Sequence, residues 1–127
     1  MRPSIADLIG IKYKQNGKSK TEGFDCYEFV REVERRYGHT MPEVCYEGSF
    51  AKAFRDSSEC VVTGSKLRRT GSPNFGDIIL FLDGNGNGIH IGVWLDDGRF
   101  AHCDKEGSHV SRLSTYTSWS TWRFYTW

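Results

Sequence analysis

The sequence predicts an α+β domain, with helices in the first half and an antiparallel sheet in the second. Three observations point there. Residues 26–37 repeat apolar side chains at helical spacing. Residues 76–113 break into short apolar runs separated by Gly- and Asp-rich turns. The composition favours turns and strands, with 14 Gly, 8 Phe, 6 Tyr and 4 Trp against 3 Pro. At 127 residues the chain fits one domain, 1–127, large enough to bury a core without disulfides or metal.

Each element has its own signal. Pro3-Ser4 followed by Asp7 predicts a capped short helix over Ile5, Leu8 and Ile9, stopped by Gly10. The polar run KQNGKSKTEG has no periodicity and is expected to be loop. Asp25 then stands as N-cap of the clearest helix, with Glu28 three residues on. Cys26, Phe29, Val30, Val33 and Tyr37 share one stripe, while Glu28, Arg31, Glu32, Arg35 and Arg36 take the other faces. Gly38 suits the left-handed exit position, and Pro42 bars continuation. A further helix is expected around Phe50, Ala53 and Phe54. Residues 58–75 leave strand and loop open, with CVVTG as the strand candidate. Strands follow at 76–82, 89–95, 99–103 and 109–113, with a last one at RFYTW; such short connections favour a meander.

Charge and length exclude several classes. With 17 basic and 16 acidic residues the net charge is +1, which argues against a nucleic-acid binder built on phosphate neutralisation. No run approaches 18 apolar residues, so no membrane span is expected. The N-terminus lacks the apolar core and cleavage site of a secretory leader. The expectation is a chain cytoplasmic as synthesised, with a virion or other delivery assembly as its route to a cell envelope. Cys26, Cys45, Cys60 and Cys103 form no CxxC pair and are expected to be free thiols.

Cys26 has a physical case for chemistry. It opens a helix, where unpaired N–H groups and the dipole favour a thiolate, and it lies on the apolar stripe. A nucleophilic thiol needs a base, and the base an orienting group. His39 lies in a polar helix exit and is expected to be solvated; His109 has no assigned role. His90 and His102 fall inside apolar strands. In IHIGVWL, Ile89, Ile91, Val93 and Leu95 share one face and His90, Gly92 and Trp94 the other. Asp96-Asp97-Gly98 fits a three-residue hairpin loop with Gly98 left-handed. That register pairs Leu95 with Arg99 and places His102 opposite Gly92, diagonal to His90. A two-residue turn would put His102 on the wrong face. No His/Cys pair has the usual zinc-ligand spacing and no Ser sits in a nucleophile elbow, so no metal or cofactor is expected.

The order EGFDCYEFV, FGDIILF, IHIGVWLDDGRFAHC resembles the NlpC-type family of papain-like cysteine peptidases, many of which cleave bacterial cell-wall peptides. The likeness spans roughly residues 5–113. It implies a papain-like fold, with N-terminal helices packed on a C-terminal antiparallel sheet and the nucleophile at a helix N-terminus. It implies Cys26 as nucleophile, His90 as general base, His102 as the orienting residue and Tyr13 as a hydroxyl for the oxyanion. The implied substrate is a peptidoglycan stem peptide. Tyr27 and Glu28 replace the Ser-Gly pair common after the family's Asp-Cys, and are expected to reshape the pocket. Together with the Arg in FVREV, they look more like family versions found in phage tail proteins, which would make tail proteins partners. Two alternatives keep the fold: a non-catalytic tail assembly module, and an acyltransferase or amidase using the same Cys-His pair.

Overall fold

The computed structural model describes residues 2–42, 67–86 and 88–127. The helix expected around Phe50, Ala53 and Phe54 and the CVVTG strand lie outside the described residues. Two short strands, β1 (Lys18–Ser19) and β2 (Gly23–Phe24), pair before the helix α1 (Cys26–Arg36). The main sheet holds β3 (Arg68–Thr70), β4 (Ile78–Leu82), β5 (Gly88–Trp94), β6 (Arg99–Asp104), β7 (Gly107–Arg112) and β8 (Thr121–Thr126). Its order is β3-β8-β4-β5-β6-β7, with every pair antiparallel. The expected meander is β4 to β7; β8, the expected last strand, returns to pair along the other side of β4. β3, a three-residue strand outside β8, settles part of the segment the sequence left open.

The cap of α1 is the expected one: Asp25 Oδ1 accepts from the Glu28 N–H at 2.8 Å, with Asp25 itself in extended conformation. The helix ends through Gly38, φ +90°, a conformation that costs other residues a Cβ clash. Its buried face is wider than the apolar stripe. Tyr27, Glu28 and Glu34 are buried too, because Tyr27 donates to the Pro42 carbonyl and Glu34 Oε2 accepts from Trp127 Nε1 at 3.0 Å. Long polar side chains with a hydrogen-bond partner tolerate burial that periodicity reads as exposure.

Only part of the expected N-terminal helical layer forms among the described residues. The first segment is a 3-10 turn, Ala6–Leu8, rather than an α-helix closed by a capping box. Ser4 Oγ accepts from the Ala6 N–H at 3.2 Å. Asp7 instead binds Arg36 of α1, at 2.5 and 2.8 Å, and Lys20 at 3.1 Å. Among the described residues the architecture is therefore one α-helix, two 3-10 turns (Ala6–Leu8 and Leu113–Thr115), a two-stranded sheet and a large antiparallel sheet.

Strand alternation divides the sheet into two faces. Ile78, Leu80, Leu82, Ile91, Val93 and Ala101 pack in one cluster with Phe29, Val30 and Val33 of α1. Full burial of each Ile, Leu, Val or Phe in this cluster stabilises the fold by about 1.5–3 kcal/mol. Ile79, Phe81 and Phe100 form a second cluster with Trp94, Leu113, Tyr116 and Phe124. His90 and His102 belong to this second, aromatic neighbourhood: His90 lies 5.8 Å from Phe81 and His102 4.5 Å from Phe100, centroid to centroid.

Candidate active site

Two local features of β5 set its histidine. Phe81 pairs with His90 but Leu82 pairs with Gly88, so Ile89 is an extra residue, a bulge. A bulge bends its strand and re-aims the adjacent side chains. At the other end Val93 pairs with Ala101 and Trp94 with Phe100, and the Leu95 N–H donates to the Arg99 carbonyl at 2.8 Å. This is the three-residue register. The turn itself differs from expectation in one respect: Asp97 as well as Gly98 has positive φ, +63° and +71°. Asp is among the few side chains that tolerate this region.

That register brings the two histidines together. His90 Nε2 lies 2.8 Å from His102 Nδ1, and His102 Nε2 lies 2.7 Å from Ser111 Oγ on β7. Gly92 beside them is required by space, since a Cβ there would come within 3.0 Å of the Ala101 carbonyl and 3.1 Å of the Phe100 ring. Both imidazoles are buried, His90 at 5% exposure and His102 at 0%. Burial pushes His90 down to about 4. It pushes His102 down to about 2, with His90 and His109 adding to the effect. At neutral pH each ring is uncharged.

Cys26 opens α1 and is buried. Burial, then the Asp25 carboxylate beside it, raises its thiol well above the ordinary range; the Ile91 and Tyr27 N–H groups act the other way. The helix-terminal stabilisation of a thiolate is thus outweighed in the resting site. Ile91 directly follows His90 in the chain, which puts the thiol against the β5 backbone one residue from that histidine. Asp25 also ties down the preceding loop, its Oδ2 accepting from the Asn16 N–H at 3.1 Å, and burial raises its own carboxyl to about 6.

Tyr13 is held by backbone pairing with Phe24, through Lys14 N–H to Phe24 carbonyl at 3.0 Å and Phe24 N–H to Lys12 carbonyl at 3.1 Å. Burial, reinforced by Cys26 and Asp25, raises its phenol, so it stays a proton donor. Ser108 anchors the segment upstream, its Oγ donating to the Leu8 carbonyl at 2.6 Å and accepting from Ile11 N–H at 2.8 Å. Tyr13, Cys26 and His90 line one cleft of about 650 Å³, whose rim includes Asp104, Lys105, Glu106 and Trp119.

Several placements depart from sequence expectation. Tyr27 is fully buried in the core and, like Glu28, does not line this cleft. The expected reshaping of the pocket by these two side chains is therefore not seen. His39 is half-buried, stacked on Trp127 at 4.3 Å and 3.4 Å from Glu34 Oε1, instead of solvated. Ser111, Tyr116, Ser118 and Trp119 were missed. Tyr116 packs edge-on to His102 at 5.5 Å and lines the cleft with Ser118 and Trp119. The aromatic density of residues 114–127 was the only signal. Sequence spacing also hid a second constellation. His102, Asp104 and His109 become neighbours across the β6–β7 hairpin, their ligand atoms all within 4.8 Å of one another.

A thiol at a helix N-terminus thus shares a cleft with a strand histidine that is hydrogen-bonded to a second histidine. The chain belongs to the NlpC/P60 family, which it matches over residues 10–126. Among solved structures it resembles the NlpC/p60 domain of the peptidoglycan hydrolase SagA, with TM-score 0.58, 21% identity, and coverage of 93% of this chain and 87% of that one. It also resembles the peptidoglycan hydrolase RipB of Mycobacterium tuberculosis, with TM-score 0.60, 21% identity, and coverage of 94% and 58%. An NlpC/P60 protein of Bacillus cereus gives TM-score 0.58 at 24% identity, with 91% and 37% covered. The chain thus spans little more than a third of that last protein and over half of RipB. No curated protein matches.

Proposed function

We propose that the protein is a cysteine peptidase that hydrolyses peptide bonds in peptidoglycan stem peptides. The observation that carries this reading is the hydrogen-bonded row His90–His102–Ser111, beside a cleft that also holds Cys26. It is joined by membership of a family whose structural relatives include two peptidoglycan hydrolases.

The proton path in this reading follows from which ring nitrogens are already engaged. His90 Nε2 is engaged by His102, which leaves Nδ1 to take the Cys26 proton. His90 must then carry its own proton on Nε2, and His102 Nδ1 must accept it. His102 in turn carries its proton on Nε2 and donates to Ser111 Oγ. Because burial disfavours both the thiolate and the imidazolium, proton transfer accompanies attack on the carbonyl rather than preceding it. The oxyanion is met by the Cys26 N–H and the Tyr13 hydroxyl. His90 protonates the leaving amine, and water clears the thioester. The stem peptide carries carboxylates and amines. Lys105, Asp104 and Glu106 line the cleft and supply charges of both signs.

The test is digestion of purified wall fragments, with new amine termini identified by mass spectrometry. Native protein should release them, and Cys26→Ala and His90→Ala should not. Hydrolysis surviving both substitutions would overturn the assignment.

A further inference from the structure

We propose that His102, Asp104 and His109 form a binding site for a divalent transition metal of the zinc class, and that filling it switches the histidine relay off. The switching half rests on the peptidase reading above; the binding half does not.

The site is built by the β6–β7 hairpin. His102 and His109 are directly paired across the strands, and Asp104 lies two residues along from His102 on the same face. His109 is already set as a ligand. Its Nδ1 lies 3.0 Å from the Gly107 carbonyl, which only accepts, so Nδ1 carries a proton and Nε2 is the nitrogen left for a metal. That Nε2 faces Asp104 Oδ2 at 3.5 Å. A metal ion would take the place of a proton between these two atoms, and a backbone carbonyl on the far nitrogen is the usual support of a metal-ligating histidine. His109 and Asp104 are each about one-third exposed, so an ion reaches them from solvent. His102 is the third residue of the cluster, and the donor role falls to its Nε2 because Nδ1 is committed to His90. Its partner there among the described residues is the Ser111 hydroxyl, which serves as donor or acceptor and rotates away without leaving a buried charge. Two imidazole nitrogens and a carboxylate are a donor set that suits zinc, at metal–ligand distances of about 2.0–2.2 Å. The ligand atoms, now within 4.8 Å of one another, need to close in by about 1 Å to reach those distances.

The consequence for the relay follows from tautomers. A metal on His102 Nε2 leaves the ring proton on Nδ1, which then donates to His90 Nε2. His90 must accept there, so its own proton moves to Nδ1, the nitrogen that would take the Cys26 proton. No proton leaves the pair. Each ring stays neutral, and the base is presented the wrong way round.

The experiment is titration with ZnCl2. Calorimetry on Cys26→Ala protein should show one site, weakened about 10-fold or more by a further His109→Gln or Asp104→Asn. On metal addition, ring 15N shifts of His102 and His90 should change from the Nε2–H to the Nδ1–H pattern. Native hydrolysis should fall with zinc and recover with EDTA, while His109→Gln hydrolyses normally and resists zinc. Equal zinc affinity with and without His109, or zinc inhibition that persists in His109→Gln, would overturn the proposal. A protein without hydrolytic activity would defeat the peptidase reading alone, because the calorimetric and 15N results stand without it.

Discussion

The two faces of the sheet are made by the same strands yet do different work. Toward α1, β4, β5 and β6 present Ile78, Leu80, Ile91, Val93 and Ala101, side chains with nothing to offer but volume. On the other face the same strands present Ile79, Phe81 and Phe100, and among them His90 and His102 joined at 2.8 Å. The first face is close-packed and indifferent to detail beyond shape. The second surrounds a polar pair with aromatic rings, which strips away water and keeps both imidazoles uncharged. The aliphatic packing and the histidine pair are thereby placed on opposite sides of one layer, while Cys26, which belongs to the first cluster, shares a cleft with His90. Substitutions at packing residues and at cleft residues should fail in different ways.

The largest contrast comes from Cys26→Ala against Phe29→Ala. Removing the thiol should cut hydrolysis by at least about 10³-fold, with the denaturation midpoint nearly unchanged. Phe29→Ala should lower stability by about 3–5 kcal/mol in urea unfolding, while the protein that remains folded keeps its kcat. Next in size, His102→Ala should reduce kcat by about 10²-fold with little change in KM, measured on a soluble stem-peptide fragment.

The faces also differ in their response to pH. His90 is depressed to about 4, so its contribution to stability is complete above its ordinary pKa near 6.5 and lost as pH falls through 4. Glu34, on α1, is raised by burial to about 8 despite its bond from Trp127. Its contribution is complete below the ordinary carboxylate range and lost as pH rises through 8. Glu34→Gln should therefore stabilise the protein by about 1–2 kcal/mol at pH 8 and leave it nearly unchanged at pH 4, as read from thermal unfolding. A flat difference between those two pH values would contradict the assignment. Smallest of all, Ser111→Ala should lower kcat by about 10-fold or less, restored by Ser111→Thr, because it removes the hydroxyl that favours one His102 tautomer.

Much of this arrangement was legible in the residues. The Asp25 cap, the helix over Cys26 and the four-strand meander follow from patterns that span only a few positions. So does the register of the β5–β6 hairpin, where the Asp96–Gly98 turn decides which side of the sheet His102 takes. What the sequence concealed depends on partners distant in the chain. Burial of Glu34 needs Trp127, and the place of Ser111 and His109 beside His102 needs the β6–β7 pairing. The bulge at Ile89 left no mark either, since a strand with one extra residue reads like any other. Tyr27 misled for the opposite reason. Adjacency to Cys26 in sequence places it a third of a helical turn away, in the core instead of the cleft.

The central claim is that Cys26 attacks with His90 as its base. Acid quenching during turnover of a stem-peptide fragment, followed by peptide mapping, tests it most directly. The account predicts a thioester carrying the acyl half of the substrate on Cys26, in native protein and absent from His90→Ala. Hydrolysis proceeding with no adduct, or with the adduct on Cys103, would contradict it.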